Sequence, residues 1–307
     1  MQRSARHGLR LRRHRHRRLR RRHRQRARLP DRLRTLRALV CRPASGGREP
    51  ASEARRWQPR PGRRLQGLGR KRSRVSDAIH AIRAAAGLFR LARRGLICVE
   101  GGDRVRWLDG MLSNDVASLE PGPDRSGCPA LLLTRTGRIQ ADPQVVTLGD
   151  DFWLELDGDA VSATLATLDQ FIIADDVSLR DCSAGVERLA LEGPMAPRIV
   201  DELAGRALGL ARDAAIHAEL AGVDCVVGAW GVSAMEARQL FVPSGSGEHV
   251  IRALLEVGAP WGLVEADPDS LEILRIEAGV PRLGAELDEE VLPPEARLER
   301  ALSFDKG

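Results

Sequence analysis

The chain has 307 residues and a formal net charge of +7, and no apolar run in it approaches the length of a membrane span. Residues 1–75 hold 28 Lys and Arg against three Asp and Glu, whereas residues 76–307 hold 21 against 39. This division excludes a uniformly basic protein and separates an arginine-rich arm from an acidic body.

The arm, residues 1–75, consists largely of Arg with scattered His, Pro and Gly and has no sustained apolar periodicity. Such a segment cannot bury enough surface to offset its chain entropy, so we expect it to be disordered. Nucleic-acid binding through the arginines stays open, but the single aromatic residue, Trp57, gives little support for base stacking. A transit peptide would be richer in Ser. The composition favours translation of a non-native frame, with the true start near Val75.

The body, residues 76–307, is long enough for one large or two small domains. Its chain carries no visible signal peptide, and the five cysteines are widely spaced without a Cys-x-x-Cys or Cys/His pair. We therefore expect no metal site, no membrane association and a reducing cytoplasmic location. Nothing in the sequence indicates an oligomeric state.

Hydrophobic spacing and turn residues predict the elements of the body in chain order. A helix over 76–94 is followed by the strand GLICVE (95–100) and by a helix that Asp103 caps. The remaining predicted strands are 129–133, 138–148, 152–156, 177–179, 186–191, 223–230 and 239–242, and the remaining helices are 160–171, 196–203, 249–257 and 268–278. Because strands and helices do not alternate strictly, we expect an α+β fold with antiparallel sheets.

Carboxylates are the candidates for chemistry, since His80, His217 and His249 lie in polar or helical-surface contexts. Asp142 stands inside an apolar strand, where a charge is costly unless it is paired or used. Arg275 is similarly placed between two apolar residues of a helix, although a surface arginine with a buried stem would look the same.

Four segments resemble the family of folate-binding YgfZ-type proteins, relatives of the aminomethyltransferase (T-protein) of the glycine cleavage system. They are RGLICVEGGDRVRWLDGMLSNDVASLEPG (94–122), LLLTRTGRIQAD (131–142), LALEGP (189–194) and LRIEAGVPRLGAELDEEVLPPEA (274–296). The resemblance covers the body and implies two intertwined α+β domains around a central folate pocket. It also implies a C-terminal β-barrel that this chain does not reach, so we expect a truncated protein.

The resemblance implies tetrahydrofolate as the cofactor and assigns roles to eight residues. Asp142 matches the aspartate that assists transfer beside the reacting folate nitrogen, and it is our candidate catalytic residue. Two positions depart from the transferase pattern. Asp157 stands where the pattern has an asparagine, and Gln239 stands where it has a glutamate. No Tyr is present to pack against folate, which leaves Trp107, Trp153, Trp230 and Trp261. The implied folate-binding residues are Asn114, Asp115, Asp157, Glu236, Gln239, Arg275 and Glu277.

Three functions follow as hypotheses. The first is a tetrahydrofolate-binding protein that aids assembly or repair of iron–sulfur clusters in client proteins. The second is an aminomethyltransferase that moves a one-carbon unit from an aminomethyl-lipoyl carrier to tetrahydrofolate. The third is a nucleic-acid binder, which requires the basic arm to be native.

Overall fold

The computed structural model describes residues 68–306, with side chains from residue 75 onward. Residues 68–75, the end of the arm, already form the start of a helix. The predicted disorder of residues 1–67 lies outside the described residues. The division of the chain at residue 75 therefore stays a prediction.

Six α-helices, thirteen strands and five short 3₁₀ helices make up the regular structure of residues 68–306. The helices are α1 (Leu68–Ala84), α2 (Arg104–Met111), α3 (Val161–Asp169), α4 (Ala196–Leu203), α5 (Gly247–Gly258) and α6 (Pro268–Glu277). The strands are β1 (Ala86–Arg90), β2 (Arg94–Glu100), β3 (Gly127–Pro129), β4 (Leu132–Leu133), β5 (Ile139–Ala141), β6 (Gln144–Thr147), β7 (Phe152–Asp157), β8 (Ser178–Asp181), β9 (Val186–Glu192), β10 (Ala215–Leu220), β11 (Val223–Gly228), β12 (Ala237–Pro243) and β13 (Leu263–Glu265).

The strands form two main sheets and one small hairpin. A six-stranded sheet has the order β10-β11-β12-β9-β1-β13, a five-stranded sheet has the order β3-β6-β7-β2-β8, and β4 pairs with β5. Among the strands of residues 68–306, only β1 and β13 pair in parallel, and every other strand pair is antiparallel. The predicted α+β class with antiparallel sheets is confirmed.

The two main sheets pack face to face, and helices cover their outer faces. A buried cluster between the sheets joins Leu96, Cys98 and Trp153 of the five-stranded sheet to Val226 and Phe241 of the six-stranded sheet. The rings of Trp153 and Phe241 lie 5.4 Å apart between centroids, a separation typical of attractive aromatic pairs. Helices α4 and α5 cover one face of the six-stranded sheet, and α2 and α3 cover the five-stranded sheet.

The prediction of one helix over residues 76–94 was wrong beyond residue 84. The helix ends there, and β1 follows as an inner strand between β9 and β13. Along β1 the side chains alternate: Leu88 packs with α4 and α5, whereas Phe89 packs with α1 and α6. An apolar run of five residues buried on both faces satisfies a strand as well as a helix, so its spacing could not decide between them.

Two further differences from the predicted local structure concern the Asp103 cap and two strands that were not predicted. Asp103 precedes α2 but makes no capping hydrogen bond to it, because its carboxylate accepts from the backbone N–H of Asp176 at 2.9 Å. Strands β10 and β13 were not predicted. Strand β10 carries His217 and Glu219 among its apolar residues, and β13 has only three residues, too few for a period-2 pattern.

Candidate active site

A cavity of about 440 Å³ opens where α6 meets the ends of both main sheets. Its walls come from the end of β1 and the following loop, from β7, β9 and β12, and from the first turns of α6. The lining is mixed: apolar side chains include Phe89, Trp230 and Leu271, and charged groups of both signs surround them. Such a volume, with apolar walls and a few polar groups, is typical of small-molecule sites.

A largely buried ion triad of Arg94, Glu155 and Arg188 joins the two sheets beside the cavity, and Arg94 and Glu155 line it. Glu155 Oε1 lies 2.5 Å from Arg94 Nε and 3.0 Å from Arg188 Nη2. Burial alone would raise the pKa of Glu155, but the two guanidinium groups lower it to about 2. Burial lowers the pKa of Arg188 to about 10, and its guanidinium stacks 3.2 Å from the centroid of the Phe241 ring. The triad therefore holds both cations and the carboxylate ionised and fixed in position.

Asp142 lies in the short link between β5 and β6, beside this triad. Its Oδ1 is buried and has no hydrogen-bond partner among the described residues. Burial raises the pKa of Asp142 to about 6; Arg94 opposes this shift, while Glu155 and Asp157 add to it. The side chain is not part of the cavity lining, but it interacts electrostatically with three residues that are. Asp142 is thus a carboxylate whose ionisation is disfavoured by burial and whose Oδ1 is an open acceptor.

Arg275 lies on α6 and lines the cavity, although only 5% of the residue is exposed. Its guanidinium lies 2.7 Å from Glu272 Oε1 and 3.0 Å from Glu286 Oε2. The hydrogen bond to Glu272 is the main reason why the pKa of Arg275 is raised. Arg275 also donates to the carbonyl of Val280. It therefore joins the segment 280–286 to α6 as well as facing the cavity.

Two other residues implied by the resemblance also line the cavity. Asp157 ends β7, and its Oδ1 accepts from the backbone N–H of Asp159 at 3.0 Å. Gln239 is buried on β12, and its Oε1 accepts from Arg188 Nη2 at 3.4 Å. The cavity thus brings together Asp157, Gln239 and Arg275.

Four implied residues are not among those that line this cavity. Asn114 donates to the carbonyls of Pro129 at 2.6 Å and Arg300 at 3.0 Å. The remaining three are nearer the surface: Asp115 accepts from the backbone of Ser118, Glu277 pairs with Arg83, and Glu236 is exposed beside a second cavity. Asn114 therefore ties the chain after α2 to the C-terminal segment.

The charged residues of the site that were not identified from the sequence include Glu155, Arg188 and Glu192. Glu192 is fully buried in the cavity wall, where it accepts from the N–H groups of Val232 at 3.0 Å and Ser233 at 3.2 Å. Burial raises its pKa. Each of these three residues stands inside an apolar strand. Because burying an unpaired charge is costly, that position could have indicated a paired or functional charge from the sequence alone.

Two kinds of feature are absent from the described part of the chain. No group of three or more His, Cys, Asp or Glu side chains there could hold a metal ion. None of the helices in the same part is long and apolar enough to cross a bilayer.

Residues 63–306 match the family model described as GCVT N-terminal domain. The chain is 28% identical over 234 residues to the aminomethyltransferase of Thermoanaerobacter pseudethanolicus, a match that covers 74% of this chain and 62% of that protein. It is 30% identical over 237 residues to the aminomethyltransferase of Anoxybacillus flavithermus, with 76% and 64% covered. The chain therefore spans less than two thirds of the length of these relatives.

Among solved structures, the chain is similar to the glycine cleavage system aminomethyltransferase T from Bartonella henselae, with a TM-score of 0.67 and 23% identity. The match covers 75% of this chain and 61% of that one. At this identity the likeness shows a shared fold.

Proposed function

Because this chain belongs to the family of the GCVT N-terminal domain, we propose that it binds tetrahydrofolate in the α6 cavity and takes part in aminomethyl transfer. The donor would be an aminomethyl-lipoyl carrier, and the acceptor would be the bound folate. One observation carries the proposal: a mixed cavity lies beside Asp142, a buried carboxylate with an unused acceptor atom. The names of the curated relatives support the same reaction class.

The cavity suits the chemical parts of a reduced folate. A pterin is flat, largely apolar on its faces and rich in N–H donors at its edge, and Trp230 and Phe89 offer apolar surfaces for such faces. Buried carboxylates in the lining, above all Glu192, offer acceptors for the edge. The glutamyl carboxylates would meet guanidinium groups, which bind carboxylates in a two-pronged geometry. Arg90 and Arg275 are lining residues of this kind. Each already pairs with two carboxylates, Glu248 and Glu265 for Arg90 and Glu272 and Glu286 for Arg275, so a glutamyl carboxylate would have to replace one of them.

Asp142 would accept a proton from, or stabilise positive charge on, the reacting group. That group is the folate nitrogen that receives the one-carbon unit. With a pKa raised to about 6, Asp142 is ionised at neutral pH but holds a proton far more readily than an ordinary aspartate. A carboxylate of this kind can accept a proton or stabilise developing positive charge nearby. We therefore propose Oδ1 of Asp142 as the proton-holding atom of the site.

Iron–sulfur cluster repair with bound folate is the second candidate. The departures at Asp157 and Gln239, together with the absence of Tyr, favour it, since they alter positions that the resemblance associates with transfer. A direct cluster ligand is poorly supported among the described cysteines, because burial raises the pKa of Cys128 and of Cys225 to about 12. Under this candidate the protein would act on clusters held by client proteins.

A transfer assay distinguishes the two candidates. The chain is mixed with an aminomethyl-loaded lipoyl carrier and tetrahydrofolate, and methylenetetrahydrofolate is measured. We expect turnover that falls roughly 100-fold in Asp142→Asn, while binding of 5-formyltetrahydrofolate is retained. Asp124→Asn, which changes an exposed carboxylate, is the matched control. Saturable folate binding without turnover by the unaltered chain would refute the transferase and leave cluster repair, and absence of binding would refute both.

A further inference from the structure

A second cavity of about 420 Å³ lies against the loop that precedes β12. Its lining comes from Leu210, Arg212 and Asp213, from residues 229–231 and 233–238, and from Arg300. Trp230 belongs to the linings of both cavities, so the segment around it forms a shared wall. None of the functions proposed above uses this second cavity.

Arg238 is the distinctive group of the second cavity. It lies on β12 and is only 7% exposed, yet its Nε is buried and has no hydrogen-bond partner among the described residues. Its Nη1 donates to the carbonyl of Ala237 at 2.8 Å, a neutral acceptor. Burial lowers the pKa of Arg238, and the more distant Asp201 and Glu236 only partly oppose this. A buried guanidinium without an anionic partner is expensive unless a ligand supplies the anion.

The other charged groups of the cavity do not neutralise Arg238. Asp213 is committed elsewhere, since its Oδ2 lies 2.5 Å from Arg300 Nη2. Burial raises the pKa of Asp213, and both Arg300 and Arg212 oppose that shift. Glu236 has an exposed side chain on the rim. Within the lining, three guanidinium groups thus face two carboxylates. Asp201 lies outside the lining and acts on Arg238 only through its charge, so no carboxylate hydrogen-bonds to Arg238 among the contacts of the described residues.

We propose that the second cavity binds a carboxylate group and that Arg238 is its principal ligand. A single carboxylate would neutralise the surplus positive charge of the lining and give the open Nε an acceptor. Arg212 and Arg300 stand at the same cavity and would strengthen attraction of the anion. The carboxylate has two possible sources, a free small acid or the glutamyl tail of a folate held in the first cavity.

Binding of acetate to the isolated chain tests the site without any folate. We expect one saturable site by calorimetry at low ionic strength, with acetamide, the neutral analogue, failing to bind. Arg238→Gln should weaken acetate binding roughly 10- to 100-fold, because a buried charge-assisted hydrogen bond is lost. Arg252→Gln changes an exposed arginine of α5 and should leave binding unchanged. Near-ultraviolet circular dichroism of each variant shows whether it is folded, and Arg300→Gln should produce a smaller loss.

Two pterin ligands identify the source of the carboxylate. Tetrahydropteroate lacks the glutamyl group that tetrahydrofolate carries. If the tail occupies the second cavity, Arg238→Gln weakens binding of tetrahydrofolate but not of tetrahydropteroate. The proposal is overturned if acetate binds the folded Arg238→Gln variant as it binds the unaltered chain. It is also overturned if acetate does not bind the unaltered chain and Arg238→Gln causes no selective loss of tetrahydrofolate binding, including the case in which neither pterin binds. The acetate result is independent of whether the first cavity binds folate.

Discussion

Replacing Asp142 with asparagine should stabilise the protein at neutral pH. The pKa of this carboxyl is raised from 3.8 to about 6, chiefly by burial. At about 1.4 kcal/mol for each pKa unit, ionised Asp142 costs the folded state about 3 kcal/mol above pH 6. Asparagine keeps the shape of the side chain without the charge, so this cost disappears. A residue retained at such a cost is consistent with a role in function.

The pH dependence has a definite sign. Because the folded pKa of Asp142 lies above the unfolded value, the native protein binds the proton more tightly. Stability from this group is greatest below pH 3.8 and is lost as the pH rises through about 6. The free energy of unfolding of Asp142→Asn should therefore exceed that of the unaltered chain by about 3 kcal/mol at pH 7.5 and by about 1 kcal/mol at pH 4.5.

Urea unfolding at the two pH values measures this difference. The expected gain in stability at pH 7.5 should also appear in thermal unfolding. The melting temperature should rise by about 2–4 °C for each kcal/mol in a domain of this size. The Asp124→Asn variant, an exposed carboxylate, should change by less than about 0.5 kcal/mol at either pH. An Asp142→Asn variant that is no more stable than the unaltered chain at pH 7.5, or equally stabilised at both pH values, would refute the reasoning.

Two further substitutions test other parts of the structure. Glu155→Gln leaves the buried Arg188 without a charged partner and removes the ion pair of the partly buried Arg94, so unfolding in urea should show a loss of about 3–5 kcal/mol; a loss below 1 kcal/mol would mean that the triad does not stabilise the fold. Gly193 has φ of 134°, and a Cβ there would lie 2.5 Å from the Ala85 carbonyl oxygen. Gly193→Ala should therefore lower stability by at least about 2 kcal/mol. Gly122→Ala, at φ of 140° in open space, carries only the conformational cost, and equal losses in the two variants would contradict the predicted clash.

The sequence was most informative where an element has one buried face and clear end signals. Helix α4 was predicted with the observed bounds, and α6 begins at the predicted Pro268. It was least informative at β1, whose residues are buried on both sides, because no period distinguishes such a run from a buried helix. The parallel pairing of β1 with β13 joins residues far apart in the chain, and local spacing contains no record of it.

The candidate site was predictable only in part. Asp142 and Arg275 were selected because each is a charged residue in apolar surroundings; Arg275 is buried, and Asp142 is partly buried with its Oδ1 inaccessible. The same argument applied to Glu155 and Arg188, but their pairing depends on the packing of one sheet on the other. The cavity itself depends on the same packing and on the approach of α6. Side chains from distant strands meet there, which no single stretch of sequence specifies.

Folate binding in the α6 cavity is tested most directly by calorimetry with 5-formyltetrahydrofolate and a variant that narrows the entrance. Ala92 is an exposed lining residue of the loop after β1, so Ala92→Trp should obstruct the cavity without disturbing the core. Ala163→Trp places the same side chain on the exposed face of α3 as a control. We predict saturable binding at one site by the unaltered chain and the control, and at least tenfold weaker binding by Ala92→Trp. Absence of saturable binding, or equal binding by all three proteins, would contradict the proposed site.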